Sequence, residues 1–74
     1  MSTYNIGDTD EWGYILRRRR GPVELWETPN GNHVVYLYAT NEHVLYAFRK
    51  YREDADALFD SVCNMFPNLE PEES

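Results

Sequence analysis

The run His33-Val34-Val35-Tyr36-Leu37-Tyr38-Ala39 is apolar on both sides of an extended chain, and this limits what 74 residues can fold into. Side chains of a strand alternate between faces, so Val34, Tyr36 and Tyr38 share one side and Val35, Leu37 and Ala39 the other. A two-layer domain of this length covers one such face, and the other must meet solvent or a partner. Two more aromatic-bearing stretches, Trp12-Gly13-Tyr14-Ile15-Leu16 and Val23-Glu24-Leu25-Trp26, are expected to pair beside it. Together they would make a sheet surface built to be covered.

The turns order these strands. Glu11 to Arg17 is rich in Trp, Tyr and Ile, and Arg17-Arg18-Arg19-Arg20 followed by Gly21-Pro22 reads as a solvated strand end and a turn. Pro22 has no donor and belongs at the start of the second strand, Val23 to Thr28. Pro29-Asn30-Gly31-Asn32 is the strongest local signal, a hairpin turn leading into the third strand. Its register stays open. A tight Asn30-Gly31 turn pairs Trp26 with Val35; a five-residue connection shifts the pairing by one and sets Trp26 beside Val34 and Tyr36.

Beyond Ala39 the period changes. Val44, Leu45, Phe48, Tyr51, Ala55, Leu58, Phe59, Val62 and Phe66 recur at helical spacing, with Thr40 or Asn41 as cap, Glu42 near the positive dipole end and Pro67 as stop. Arg49/Glu53, Lys50/Asp54 and Arg52/Asp56 are three salt pairs at helical spacing. A rival reading makes His43 to Tyr51 a fourth strand, with Val44, Tyr46 and Phe48 alternating. The continuous stripe favours the helix. The expected fold class is α+β: a three-stranded antiparallel meander with one long or two short C-terminal helices packed on one face. Residues 1–10 are a flexible lead-in, 11–66 the single domain, and 67–74 an acidic, Pro-containing tail.

Size and charge exclude several classes. Below ~80 residues a core supplies only a few kcal/mol, and dimerisation is a standard remedy. No run of apolar residues is long enough to span a membrane, and Met1-Ser2-Thr3-Tyr4-Asn5 lacks the basic start of a signal peptide. Cys63 is alone, so no internal disulfide forms, and a cytoplasmic location is the default. The net charge of −6 is uneven, −1 over residues 1–40 and −5 over residues 41–74. An acidic face of this kind is ordinary solvation or, less commonly, a surface for a basic partner.

Catalytic patterns are missing. His33 and His43 are the only imidazoles, and neither paired cysteines nor a His-Glu-x-x-His arrangement exists for a metal. Cys63 lies twenty residues from His43 and beside Val62, as an inert, partly buried thiol would. Glu53, Asp56 and Asp60, with Asn64 a turn on, share one helical face; such carboxylates can hold a cation but mostly line the solvent side. Asp8, Asp10 and Glu11 form a second acidic group. Gly7, Gly13, Gly21 and Gly31 are scattered singly, with no phosphate loop. No enzyme, cofactor or metal is expected.

Binding is what the residues favour. The candidate surface is Trp12, Tyr14, Trp26, Tyr36 and Tyr38 with Arg17, Arg18, Arg19 and Arg20, since guanidinium suits bidentate and stacking contacts. The expected function is a protein-binding module of the inhibitor or regulator kind, occluding a partner surface, with a protein partner and a homodimer and no membrane. Small acidic chains without catalytic residues are a common type among phage and mobile-element accessory proteins. The alternative is single-stranded nucleic acid, with arginines on phosphates and bases stacked on the aromatics. Against it stand the negative charge and the alternation of an extended Arg run between two faces.

Overall fold

The structure, a computed structural model, describes residues 4–39 and 42–73, with the backbone path alone for Ala39 and residues 42–46. Four antiparallel strands, β1 (Ile15–Arg20), β2 (Val23–Glu27), β3 (His33–Ala39) and β4 (Glu42–Arg49), lie in sequence order, and one helix, α1 (Arg52–Cys63), follows. The expected α+β class, an antiparallel meander with a C-terminal helix on one face, holds.

The meander has one strand more than the favoured reading. Residues 42–49 extend the sheet, pairing Val34 with Phe48 and Tyr36 with Tyr46, as the rival reading has it. Val44, Tyr46 and Phe48 fit a helical stripe and a strand alternation equally well, as short apolar runs do. Pairing decides it: residues 42–49 bond along the edge of β3 that β2 leaves open, satisfying backbone groups there. His43 therefore lies on a strand, and Arg49 and Lys50 are outside the helix; of the three helical salt pairs, Arg52 to Asp56 at 3.1 Å forms. Thr40 and Asn41, expected as caps, lie outside the described residues. The helix starts at Arg52 after Tyr51, whose side chain makes no cap bond, while Glu53 and Asp54 stand at its positive end.

The connection after β2 settles the register. Gly31, at φ 81°, donates its N–H to the Thr28 carbonyl at 3.0 Å, and Thr28 N–H donates to the Asn32 carbonyl at 2.8 Å. Glycine adopts this left-handed conformation without a Cβ clash, so the five residues 28–32 join the strands in place of a tight two-residue turn. Glu27 then pairs with His33 and Trp26 with Val34, the shifted alternative. One face of the sheet thereby collects Val23, Leu25 and Val35, which pack with Ala55, Phe59, Val62 and Cys63 of α1 as the core. Leu58, Phe66 and Leu69 close its rim.

On the opposite face a second row crosses every strand. Leu16, Trp26, Val34 and Phe48 are consecutive neighbours; the first three are buried and Phe48 is 55% exposed. The N-terminal segment, read from sequence as a lead-in outside the domain, lies against this face. The Tyr4 ring meets Trp26 edge-on at 5.4 Å, Gly7 N–H donates to the Leu16 carbonyl, and Leu16 N–H donates to that of Asp8.

Candidate functional site

The arginine run lies on β1, and a register shift between Leu16 and Arg18 aims its members. Arg18 and Arg20 stand opposite the core-facing Leu25 and Val23, whereas Arg19 stands opposite Glu24 on the other face. The alternation splits the charge, and each side chain finds a partner within the chain. Arg17 Nε donates to Glu27 at 3.0 Å. Arg18 lies over the Phe59 ring at 4.2 Å, forks Glu72 through Nε and Nη2 at 2.8 and 2.6 Å, and reaches Asp56 and Asp60. Arg20 Nε donates to the Glu70 carbonyl.

Arg19 is the most enclosed. Its Nε donates to Glu24 at 2.8 Å, its Nη1 to Glu73 at 3.1 Å and its Nη2 to the Tyr4 carbonyl at 2.6 Å. Glu24, 2% exposed, also accepts the Trp26 indole N–H at 2.9 Å and the Tyr38 hydroxyl. Burial, reinforced by the Glu24 charge, raises the Tyr38 phenol above its ordinary value. Burial works against the Arg19 cation, yet the hydrogen bonds and charges of Glu24 and Glu73 together outweigh it and raise its pKa. The Glu72 hydrogen bond raises Arg18 likewise and holds Glu72 below the usual carboxylate range. For Asp56, burial pulls upward but Arg52 and Arg18 lower it. The acidic tail and the helix carboxylates thus answer the arginine run.

Of the aromatic candidates, Trp26 is enclosed, and Tyr14, Tyr36 and Tyr38 are half-buried; the rings of Tyr36 and Tyr38 lie 6.1 Å apart. Trp12 is 71% exposed, and its backbone is fixed. One Asp10 carboxylate oxygen accepts the N–H groups of Trp12 and Tyr14, both at 2.9 Å, and backbone bonds join Asp10 to Gly13 and Tyr14. Gly13 follows at φ 84°, and a Cβ there would sit 3.1 Å from the Pro29 ring. Backbone sign and space both call for glycine. Asp8 accepts the Asn5 N–H, so two members of the N-terminal acidic group brace turns.

Sequence reasoning passes over three further exposed apolar side chains, Phe48, Tyr51 and Met65. A helical assignment of residues 43–66 puts Phe48 and Tyr51 in the core stripe, which hides them; only the strand assignment reveals their exposure. Cys63 is buried, and burial pushes its thiol pKa up. His33 is buried too, and its Nδ1 has no hydrogen-bond partner among the described residues. Among the described residues no cluster of His, Cys, Asp and Glu fits a metal ion, and no helix is long and apolar enough to cross a membrane. Comparison with known protein families, curated proteins and solved structures finds no match.

Proposed function

We propose that the protein is a non-catalytic protein-binding module, a small regulator or inhibitor that covers a surface of its partner and works in the cytoplasm as a homodimer. The observation that carries this reading is Trp12: a large aromatic side chain left to solvent on a turn braced by Asp10 and Gly13. Ordering costs little at such a position, and tryptophans that fill a partner's pocket are prominent among residues that dominate interface energies. Tyr14 adjoins Trp12 in the same turn, while Tyr36 and Tyr38 add half-buried aromatic surface further along the sheet, opposite Glu24 and beside Pro22. Arg17 to Arg20 hold the platform: Arg19 ties the N-terminal segment carrying Trp12 to the sheet.

The same arrangement weighs against single-stranded nucleic acid. Phosphate binding draws on free guanidinium charge, and here each arginine would first leave an internal carboxylate or carbonyl. Affinity capture from native cell extract, quantified by mass spectrometry, compares wild type with Trp12→Ala. The reading expects proteins enriched by wild type and lost with the variant, unaffected by nuclease. Equal enrichment by both, or sub-micromolar binding of labelled single-stranded DNA or RNA that weakens steeply with salt, would overturn it.

A further inference from the structure

The connection between β2 and β3 carries a reactive pair. Asn30 and Gly31 are both exposed, and a Cβ built on Gly31 meets nothing within 4 Å. Thr28 and Asn32 hold the ends of this loop. The Thr28 N–H donates to the Asn32 carbonyl at 2.8 Å, and the Asn32 N–H donates to the Thr28 hydroxyl oxygen at 3.0 Å. Neither bond uses the Asn30 side chain. Its carboxamide therefore stands in water beside a backbone nitrogen that no following side chain shields. After Asn5, Asn32, Asn64 and Asn68 the next residue is Ile6, His33, Met65 or Leu69, whose side chain crowds that nitrogen. The loop is also a seat. Pro29 lies against the Trp12 turn, so close that a Cβ on Gly13 would come within 3.1 Å of its ring.

We infer that Asn30 is a site of spontaneous modification, converting through a cyclic imide to aspartate and isoaspartate, and that conversion withdraws Trp12 from binding. The second half rests on the Trp12 reading above. Hydroxide takes the Gly31 amide proton, and the nitrogen attacks Cγ of Asn30. The N–Cγ bond forms, the Cγ–Nδ2 bond breaks, and ammonia leaves with a proton from water. Water then opens the ring at either carbonyl. Cleavage at Cγ gives aspartate; cleavage at the main-chain carbonyl gives isoaspartate. Either product puts a carboxylate where an amide stood. Isoaspartate also routes the backbone through Cβ and Cγ, adding a methylene between Pro29 and Gly31. With Thr28 and Asn32 tied together, Pro29 and Gly31 must take up that extra length, and the Trp12 turn loses its seat. One contact resists the step. The Gly31 N–H donates to the Thr28 carbonyl at 3.0 Å, so the folded chain holds the proton that must leave. A single hydrogen bond of this kind slows the reaction about fivefold relative to the unfolded chain.

The test incubates the full chain, folded and in urea, in mildly alkaline buffer beside Asn30→Gln, whose longer side chain closes the ring far more slowly. Peptide mapping by mass spectrometry, with electron-transfer fragmentation to distinguish isoaspartate, reads each asparagine. Asn30 should convert in the folded chain about fivefold more slowly than in urea, with isoaspartate the larger product. Asn5, Asn32, Asn64 and Asn68 should remain amides, and the variant should remain unmodified. An Asn30 that stays intact in the folded chain while it converts in urea, or that converts no faster than the other asparagines, would overturn the site. The converted protein separates by its added charge on an anion exchanger. In proton–nitrogen spectra its Trp12 indole signal should shift while that of Trp26, bonded to Glu24, holds. A Trp12 signal identical to that of fresh protein would overturn the coupling. Failure of the Trp12 reading looks different: Trp12→Ala then captures the same proteins as wild type, while Asn30 still converts and the Trp12 indole still shifts.

Discussion

Replacing Arg19 by Ala strips the buried Glu24 carboxylate of its cation. The pair is 2.8 Å long with side chains 7% and 2% exposed, so water cannot take over the lost bonds without opening the face. The Trp26 indole and the Tyr38 hydroxyl remain, but both are neutral donors. Breaking one half of such a pair costs about 3–5 kcal/mol, because the remaining charge stays buried. A core of this size supplies roughly that much net stability, so most of the Ala variant should be unfolded at 25 °C. Arg19→Met/Glu24→Gln removes both charges, and the Gln side-chain oxygen still accepts from Trp26. It should therefore be more stable than Arg19→Met alone, by at least ~1 kcal/mol. Urea unfolding followed by tryptophan fluorescence reads both, since the Trp26 indole is bonded to the same carboxylate. An Arg19→Ala cost below ~1 kcal/mol, or a double variant weaker than the single, would refute the reasoning.

The core and the termini give further expectations. Phe59→Ala should cost ~3–5 kcal/mol and Leu58→Ala distinctly less, because Phe59 is fully buried and Leu58 lies at the rim; equal urea midpoints for the two would contradict this packing. Glu72 and Asp56 are held below their ordinary values, so their stabilisation is complete above about pH 4–5 and lost as pH falls through the lowered folded values. Thermal melting should therefore be flat from neutral to mildly acidic pH and then decline, and Glu72→Gln should shallow that decline; an unchanged acid profile would count against the tail contact. Burial raises the Cys63 thiol, so its reaction with a disulfide reagent at neutral pH should be slow until urea unfolds the chain, and equal rates in both states would contradict its placement.

The meander and its closing helix are legible because alternation in Val34 to Tyr38 and the turn at Asn30-Gly31 are local signals. The length of the helix is not, since Val44 to Tyr51 satisfies two periods and only pairing with β3 chooses between them. The exposed aromatic Trp12 is legible as a residue, while its bracing by Asp10 depends on short bonds that composition does not reveal. The arginine run misleads most. In sequence, Arg17 to Arg20 is a concentrated positive charge, and the acidic tail at residues 67–74 is flexible-looking and remote from it. In space, Glu72 and Glu73 return from more than fifty residues away to meet Arg18 and Arg19. No local pattern announces that pairing.

In the proposed function, recognition runs through the aromatic surface around Trp12 while the arginines stay engaged within the chain. Proton–nitrogen correlation spectra of labelled protein, titrated with the protein enriched by capture, test this through two indole signals. The Trp12 indole should shift or broaden on binding while the Trp26 indole, bonded to Glu24, and the Arg18 and Arg19 side-chain Nε–H signals hold their positions. An unmoved Trp12 indole with displaced arginine signals would contradict it.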